Sequence, residues 1–148
     1  MADVVFNQFD VKLIAGADGT GSTPVTSEGT AGNNIGAGDV IYLDSTTGKM
    51  NLTDANNILT AGGTAGLLAS IGVASHPAYL DQPIKYFRIG DMTFGNVLTQ
   101  GQMYILSANA GKFCPISDLV AGMYLVTLLF GFSSSVARMS INATGVLR

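Results

Sequence analysis

Gly38-Asp39-Val40-Ile41-Tyr42-Leu43-Asp44-Ser45-Thr46-Thr47-Gly48-Lys49-Met50 reads as one strand–turn–strand unit. A glycine leads into an apolar run, four polar or small residues make a turn, and Gly-Lys-apolar starts the return. The unit recurs 63 residues later as Gly101-Gln102-Met103-Tyr104-Ile105-Leu106-Ser107-Ala108-Asn109-Ala110-Gly111-Lys112-Phe113. Gly38 and Gly101, Leu43 and Leu106, Gly48 and Gly111, and Lys49 and Lys112 coincide at that spacing. The hairpin-turn glycines Gly38, Gly48, Gly101 and Gly111 are expected where a turn needs positive φ.

Around these two hairpins the chain is read as short strands separated by turn residues. Phe9, Val11 and Leu13 alternate with Asp10 and Lys12 as a half-buried strand. Leu67–Ser75 is apolar and carries Ile71-Gly72-Val73-Ala74, until His76-Pro77 breaks it. Ile84, Tyr86 and Arg88 oppose Lys85, Phe87 and Ile89, and a turn is expected at Gly90-Asp91 before a further strand over Met92–Leu98. Met123–Phe132 is a continuous apolar run with an inner glycine, Gly131, that answers Gly72, and Val136–Ile141 closes the series. The only places read for helix are short turns at Asp54–Leu68 and Ser117-Asp118-Leu119. The expectation is an all-β fold, a compact antiparallel β-sandwich or barrel of roughly ten short strands. Its two related halves, 38–90 and 101–148, point to an internal duplication. The uncharged run Leu119–Ala137 has a continuous apolar part too short for a helical membrane span and is read as core.

Residues 1–37 are set apart as an N-terminal strand followed by an extended arm. From Ala15 to Ala37 the chain is rich in Gly, Thr, Ser and Asn and has no Lys or Arg. Loops of this length are uncommon in compact domains unless they are functional or mobile. The functional reading is an arm laid across a neighbouring subunit, with Asp18, Thr20, Thr23, Pro24, Val25, Thr26, Thr30, Asn33, Asn34 and Ile35 as contacts. The alternative is a mobile linker. Val25 and Ile35 are read as short strand fragments that could pair within it.

Charge bounds the function. Of 148 residues, seven are Lys or Arg and ten are Asp or Glu, a net charge of −3 and a charged fraction of 11%. An acidic chain lacks the basic face that nucleic-acid binding needs. So few charges on a chain that is 47% apolar leave much of its surface uncharged, which is expected where another protein covers it.

Motifs for chemistry are missing from the sequence. His76 is the single histidine and is read as a loop residue, with no partner for a zinc site. No Gly-x-Ser-x-Gly elbow is present. Neither Gly48-Lys49-Met50 nor Gly111-Lys112-Phe113 completes a phosphate-binding loop, because the following Ser/Thr and the earlier glycine are absent. Asp39, Asp44 and Asp54 fit no calcium-loop spacing and are read as scattered surface acids. Cys114 is alone, beside Phe113, Pro115 and Ile116, and is read as a buried, inert thiol. Asn51-Leu52-Thr53 and Asn142-Ala143-Thr144 match glycosylation sequons, but Met1-Ala2-Asp3-Val4 lacks the basic start of an export signal. No enzyme activity, cofactor or metal is expected.

The paired hairpins, the Ile71-Gly72-Val73-Ala74 strand, Leu98-Thr99-Gln100-Gly101 before the second hairpin and Ile141-Asn142-Ala143-Thr144-Gly145-Val146 at the close resemble the capsid decoration, or cement, proteins of tailed bacteriophages. The likeness runs over about Gly36–Val146. It implies a β-rich module, commonly a homotrimer, on the outer surface of a viral capsid. There it would bridge neighbouring major capsid proteins and hold the shell against the pressure of packaged DNA, with no nucleic acid or membrane as partner. A tail- or fibre-associated virion module and a carbohydrate-binding β-sandwich are the alternatives.

Overall fold

Val40 and Ile41 are neighbours in one strand, so their side chains leave on opposite faces, yet both are fully buried. That one fact sets the architecture: part of the sheet is covered on both sides. The structure of the protein, a computed structural model, describes residues 3–6, 11–13, 25–56 and 71–148. Among them are ten strands: β1 (Val11–Leu13), β2 (Val25–Thr30), β3 (Val40–Asp44), β4 (Lys49–Leu52), β5 (Gly72–Ala74), β6 (Pro83–Phe94), β7 (Met103–Leu106), β8 (Phe113–Pro115), β9 (Tyr124–Gly131) and β10 (Val136–Leu147). The described residues hold no α-helix, and a single 3-10 turn spans Ile116–Asp118. The all-β expectation holds, in the form of one curled antiparallel sheet, a half-barrel, rather than two stacked sheets.

The strand order is β4-β3-β5-β6-β10-β9-β7-β8. Read from either end it runs hairpin, then the strand with the inner glycine, then the long strand. β4-β3-β5-β6 and β8-β7-β9-β10 therefore have the same connectivity and meet where β6 pairs with β10. The sheet then curls until the second hairpin reaches the first. The Val40 N–H donates to the Gly111 carbonyl at 2.8 Å, the Gly111 N–H to Thr53 at 2.8 Å, and the Ala55 N–H to Ser107 at 3.1 Å. Val4, ahead of β1, donates to Phe113 at 3.0 Å.

Two clusters fill the interior. The larger, inside the curl, takes Val40, Val73, Phe87, Met92, Phe94, Ile105, Phe113, Val126, Leu129 and Ala137 among others, with Phe6 stacked on Phe113 and edge-on to Phe94. The smaller lies on the outer face of the first half and is built from Ala31, Ile35, Ile41, Met50, Ala74, Ala78, Ile84 and Tyr86. What covers that face is the stretch read as the C-terminal part of the arm. β2 pairs with β6 from Val25↔Ile89 to Thr30↔Pro83, Ala31 bridges Met50, and Ile35 bridges Ala78. Val25 and Ile35 thus pair with the sheet and not with each other. Glycine and threonine allow a chain to run extended, and apolar Ala31 and Ile35 give it something to bury.

The long strand β6 departs from the sequence reading. Gly90-Asp91 is no turn between two strands, because β6 runs unbroken from Pro83 to Phe94. Gly90 has φ +114 and lies beside an irregularity in which Val25 faces Ile89 but Thr26 faces Phe87, leaving Arg88 as the extra residue. Such a bulge reverses the alternation. Phe87 points into the main core before it, and Met92 and Phe94 after it. Ile89 is left outside, 55% exposed. The apolar run over 123–132 forms β9, and among the described residues no helix is long and apolar enough to cross a membrane.

Candidate interaction surface

The four hairpin-turn glycines all have the positive φ expected of them: Gly38 +85°, Gly48 +73°, Gly101 +80° and Gly111 +74°. Gly111 does more than turn the chain. A Cβ there would lie 2.8 Å from Leu52 Cδ2, so the second hairpin tip packs against the first and any larger residue would have to displace the Leu52 side chain. The next residue, Lys112, reaches Asp39 at 3.2 Å, and the other Asp39 oxygen accepts the Gly36 N–H at 2.8 Å. Asp3 accepts from Ser107 Oγ at 2.6 Å and from Asn109 Nδ2 at 2.8 Å, which pins the N-terminal residues to the same turn.

The outer face of the second half is dressed differently from that of the first. Residues paired across strands share a face, and one row runs Met103, Phe130, Arg138, Asp91 through β7, β9, β10 and β6. Beside it stand Phe132, which follows Gly131, and the pair Ile89 and Ser140. Phe130 is 37% and Phe132 48% exposed. At the centre, Arg138 binds Asp91 through both carboxylate oxygens, Nε to Oδ1 at 2.9 Å and Nη2 to Oδ2 at 3.2 Å. Its guanidinium also lies 4.7 Å from the centre of the Phe132 ring. The Asp91 side chain is buried, and the bidentate contact together with the stacked ring holds one geometry. The result is a rigid apolar and aromatic patch with one oriented guanidinium. Where β2 and residues 31–35 cover the first half, Phe130 and Phe132 on this face of the second half remain exposed.

The predicted contact residues fall in three groups. Asp18, Thr20, Thr23 and Pro24 lie outside the described residues. Val25, Thr26 and Thr30 are committed to the β2–β6 ladder, and Ile35 is a core residue, 3% exposed. Asn33 and Asn34 are exposed at a bend, where Asn34 Oδ1 accepts the Leu80 N–H at 3.3 Å. The stretch from Val25 to Ile35 is therefore built into this chain's own sheet. The patch on β9 and β10 went unread in the sequence because Phe130 and Phe132 sit in an apolar run that looks like core throughout.

No group of three or more His, Cys, Asp or Glu able to hold a metal occurs among the described residues. Asp39 pairs with Lys112, Asp44 accepts the Thr46 N–H at 2.9 Å, and Asp54 accepts the Asn56 N–H at 2.8 Å. His76 ties its loop together: Nε2 accepts the Lys85 N–H at 3.1 Å and Nδ1 faces the Pro77 carbonyl at 2.9 Å.

Cys114 is fully buried, and burial first, then the negative charges of Asp118 and Asp3, pushes its thiol from 9.0 up to about 12. The thiolate is the reactive form. Native protein at pH 8 is therefore expected to leave a disulfide reagent such as DTNB unreacted, while urea-unfolded protein releases one equivalent of chromophore. The sign of the linkage follows. Above the unfolded value the unfolded thiol loses its proton before the folded one, so this group's contribution to stability falls as pH rises from about 9 toward about 12. Fast labelling of the native protein would show the core opening around β8.

Compared with protein-family models, with curated proteins and with solved structures, the chain finds no match in any of the three.

Proposed function

We propose that the chain is a structural virion protein, a capsid decoration protein that binds the outer surface of a bacteriophage shell and bridges neighbouring major capsid subunits. One observation carries the reading: the two halves share a connectivity, but among the described residues β2 and residues 31–35 cover the outer face of the first, whereas Phe130 and Phe132 on that of the second are exposed. The second half offers Phe130 and Phe132 to solvent around the fixed Arg138, with Ile89 of the adjoining β6 exposed beside them. Aromatic residues and arginine are the groups enriched at the centres of protein–protein contacts. An 11% charged fraction supports a surface that spends its life against other protein. The resemblance of the hairpin repeat to decoration proteins supplies the kind of partner, the major capsid protein, and the homotrimer as the assembling unit. The location proposed is the outside of the virion head.

The test is co-sedimentation with capsids that lack the protein, beside a light-scattering mass of the free protein. Saturable binding at a fixed ratio to the capsid protein and a compact trimer are expected. Phe130→Ser is expected to abolish capsid binding while leaving the chain folded, since the ring is partly exposed and is not one of the core residues. A monomer that leaves capsids bare would overturn the proposal.

A further inference from the structure

Away from that face, a cleft of about 290 Å³ opens between the bend at residues 34–36 and the turn at residues 77–82. It is lined by Asn34, Ile35, Gly36, Pro77, Ala78, Tyr79 and Gln82, without a charged side chain. The volume sits at the lower end of small-molecule sites, about 300 Å³.

Its walls are held from several directions. The Ile35–Ala78 bridge makes the floor, with N–H to carbonyl distances of 2.8 and 2.9 Å in the two directions. The turn over Tyr79–Gln82 closes with the Gln82 N–H on the Tyr79 carbonyl at 3.0 Å, and Asp81 takes a positive φ of 69°. The Asp81 N–H donates to Ala31 at 2.8 Å, and its carboxylate meets Lys49. A non-glycine residue in the left-handed region persists only where its surroundings hold it.

Both carboxamides in the cleft are oriented by the backbone. Asn34 Oδ1 accepts the Leu80 N–H at 3.3 Å and Gln82 Oε1 accepts the Tyr79 N–H at 2.9 Å. Each amide therefore turns its NH2 group away from the turn, and neither NH2 has a partner among the described residues. Tyr79 lines the same cleft and is 70% exposed, its ring and hydroxyl available to a ligand. Two fixed donors, an aromatic ring and no charge suit a neutral ligand rich in hydroxyl and carbonyl oxygens with one apolar face. A pyranose ring has that chemistry: its C–H face packs on an aromatic ring and its oxygens accept from amides.

We propose that this cleft binds a single neutral saccharide unit, with Asn34 and Gln82 as donors and Tyr79 as the stacking platform. The site is separate from the exposed face of β9 and β10, so it stands or falls independently of the capsid reading.

The test is nitrogen-resolved NMR of the full chain, titrated with methyl glycosides of glucose, galactose, mannose, rhamnose, N-acetylglucosamine and N-acetylgalactosamine. At least one glycoside is expected to give saturable shifts at the Asn34 and Gln82 side-chain NH2 signals and at Tyr79. Asn34→Asp and Gln82→Glu keep the oxygen that accepts the backbone N–H but replace the NH2 donor with a carboxylate oxygen and its charge, so the turn should survive while affinity for a neutral glycoside falls about tenfold or more. Tyr79→Ala should lose affinity likewise. Silence of both NH2 signals toward all six glycosides would overturn the proposal. So would binding that Asn34→Asp, Gln82→Glu and Tyr79→Ala leave unchanged.

Discussion

Arg138→Ala is expected to lower the stability of the folded chain. The reason is what the substitution leaves behind. The Asp91 side chain is only 4% exposed, and both of its oxygens are bound by the Arg138 guanidinium. Without Arg138 a buried carboxylate loses both of these charge-assisted bonds. Arg138 itself is 38% exposed, so water screens part of the pair and the cost stays below the largest recorded for buried ions. The packing of the guanidinium on Phe132 is lost as well. The thermal midpoint should fall by more than about 2 °C. Arg138→Lys keeps the charge but not the fork, and should fall between wild type and alanine. The double substitution Arg138→Met with Asp91→Leu should recover most of the loss, because it removes the buried charge together with its partner. A midpoint within about 2 °C of wild type for Arg138→Ala would show that Asp91 does not depend on it.

Gly72→Ala and Gly131→Ala should each cost about 3 kcal/mol or more, the upper range for overpacking a core. These are the inner glycines of β5 and β9, equivalent strands in the two halves. A Cβ on Gly72 would overlap the Tyr86 ring and come within 2.7 Å of the Phe87 carbonyl oxygen. On Gly131 it would overlap the carbonyl oxygen of Thr99. Backbone atoms cannot step aside as a flexible side chain does, so relief requires the neighbouring strand or turn to move. Gly48→Ala is the control. Its φ of +73° strains any L residue, at about 1–2 kcal/mol, but nothing lies within 4 Å of the added methyl. Urea denaturation should therefore rank Gly72→Ala and Gly131→Ala well below Gly48→Ala in stability. An equal loss at all three would mean that the close approaches are not part of the folded state in solution.

The repeat was legible because turns and strands announce themselves locally. Gly38, Gly48, Gly101 and Gly111 stand where positive φ is needed, and the alternation between them matches a pleated sheet. Gly72 and Gly131 were visible as inner glycines, but their purpose was not, since the atoms they make room for belong to Tyr86 and Phe87 in one case and Thr99 in the other. The proposed interaction face was not legible at all. Phe130 and Phe132 have the same apolar neighbours in sequence as Leu128 and Leu129, and exposure depends on which face of the strand a residue takes.

By itself the sequence determined the all-β class, the two hairpins and their matching order, and the burial of Cys114, because turn chemistry and two-residue alternation act over a few neighbouring residues. Tertiary structure alone decided three things. The stretch from Val25 to Ile35 became a cover for the first half because its apolar partners, Met50 and Ala78, are distant in the chain. The extra residue at Arg88 reversed the faces of β6, since a bulge is defined only against the strand it pairs with. And Asp91 became a buried charge with one guanidinium to hold it, a pairing between residues 47 positions apart that no local pattern encodes.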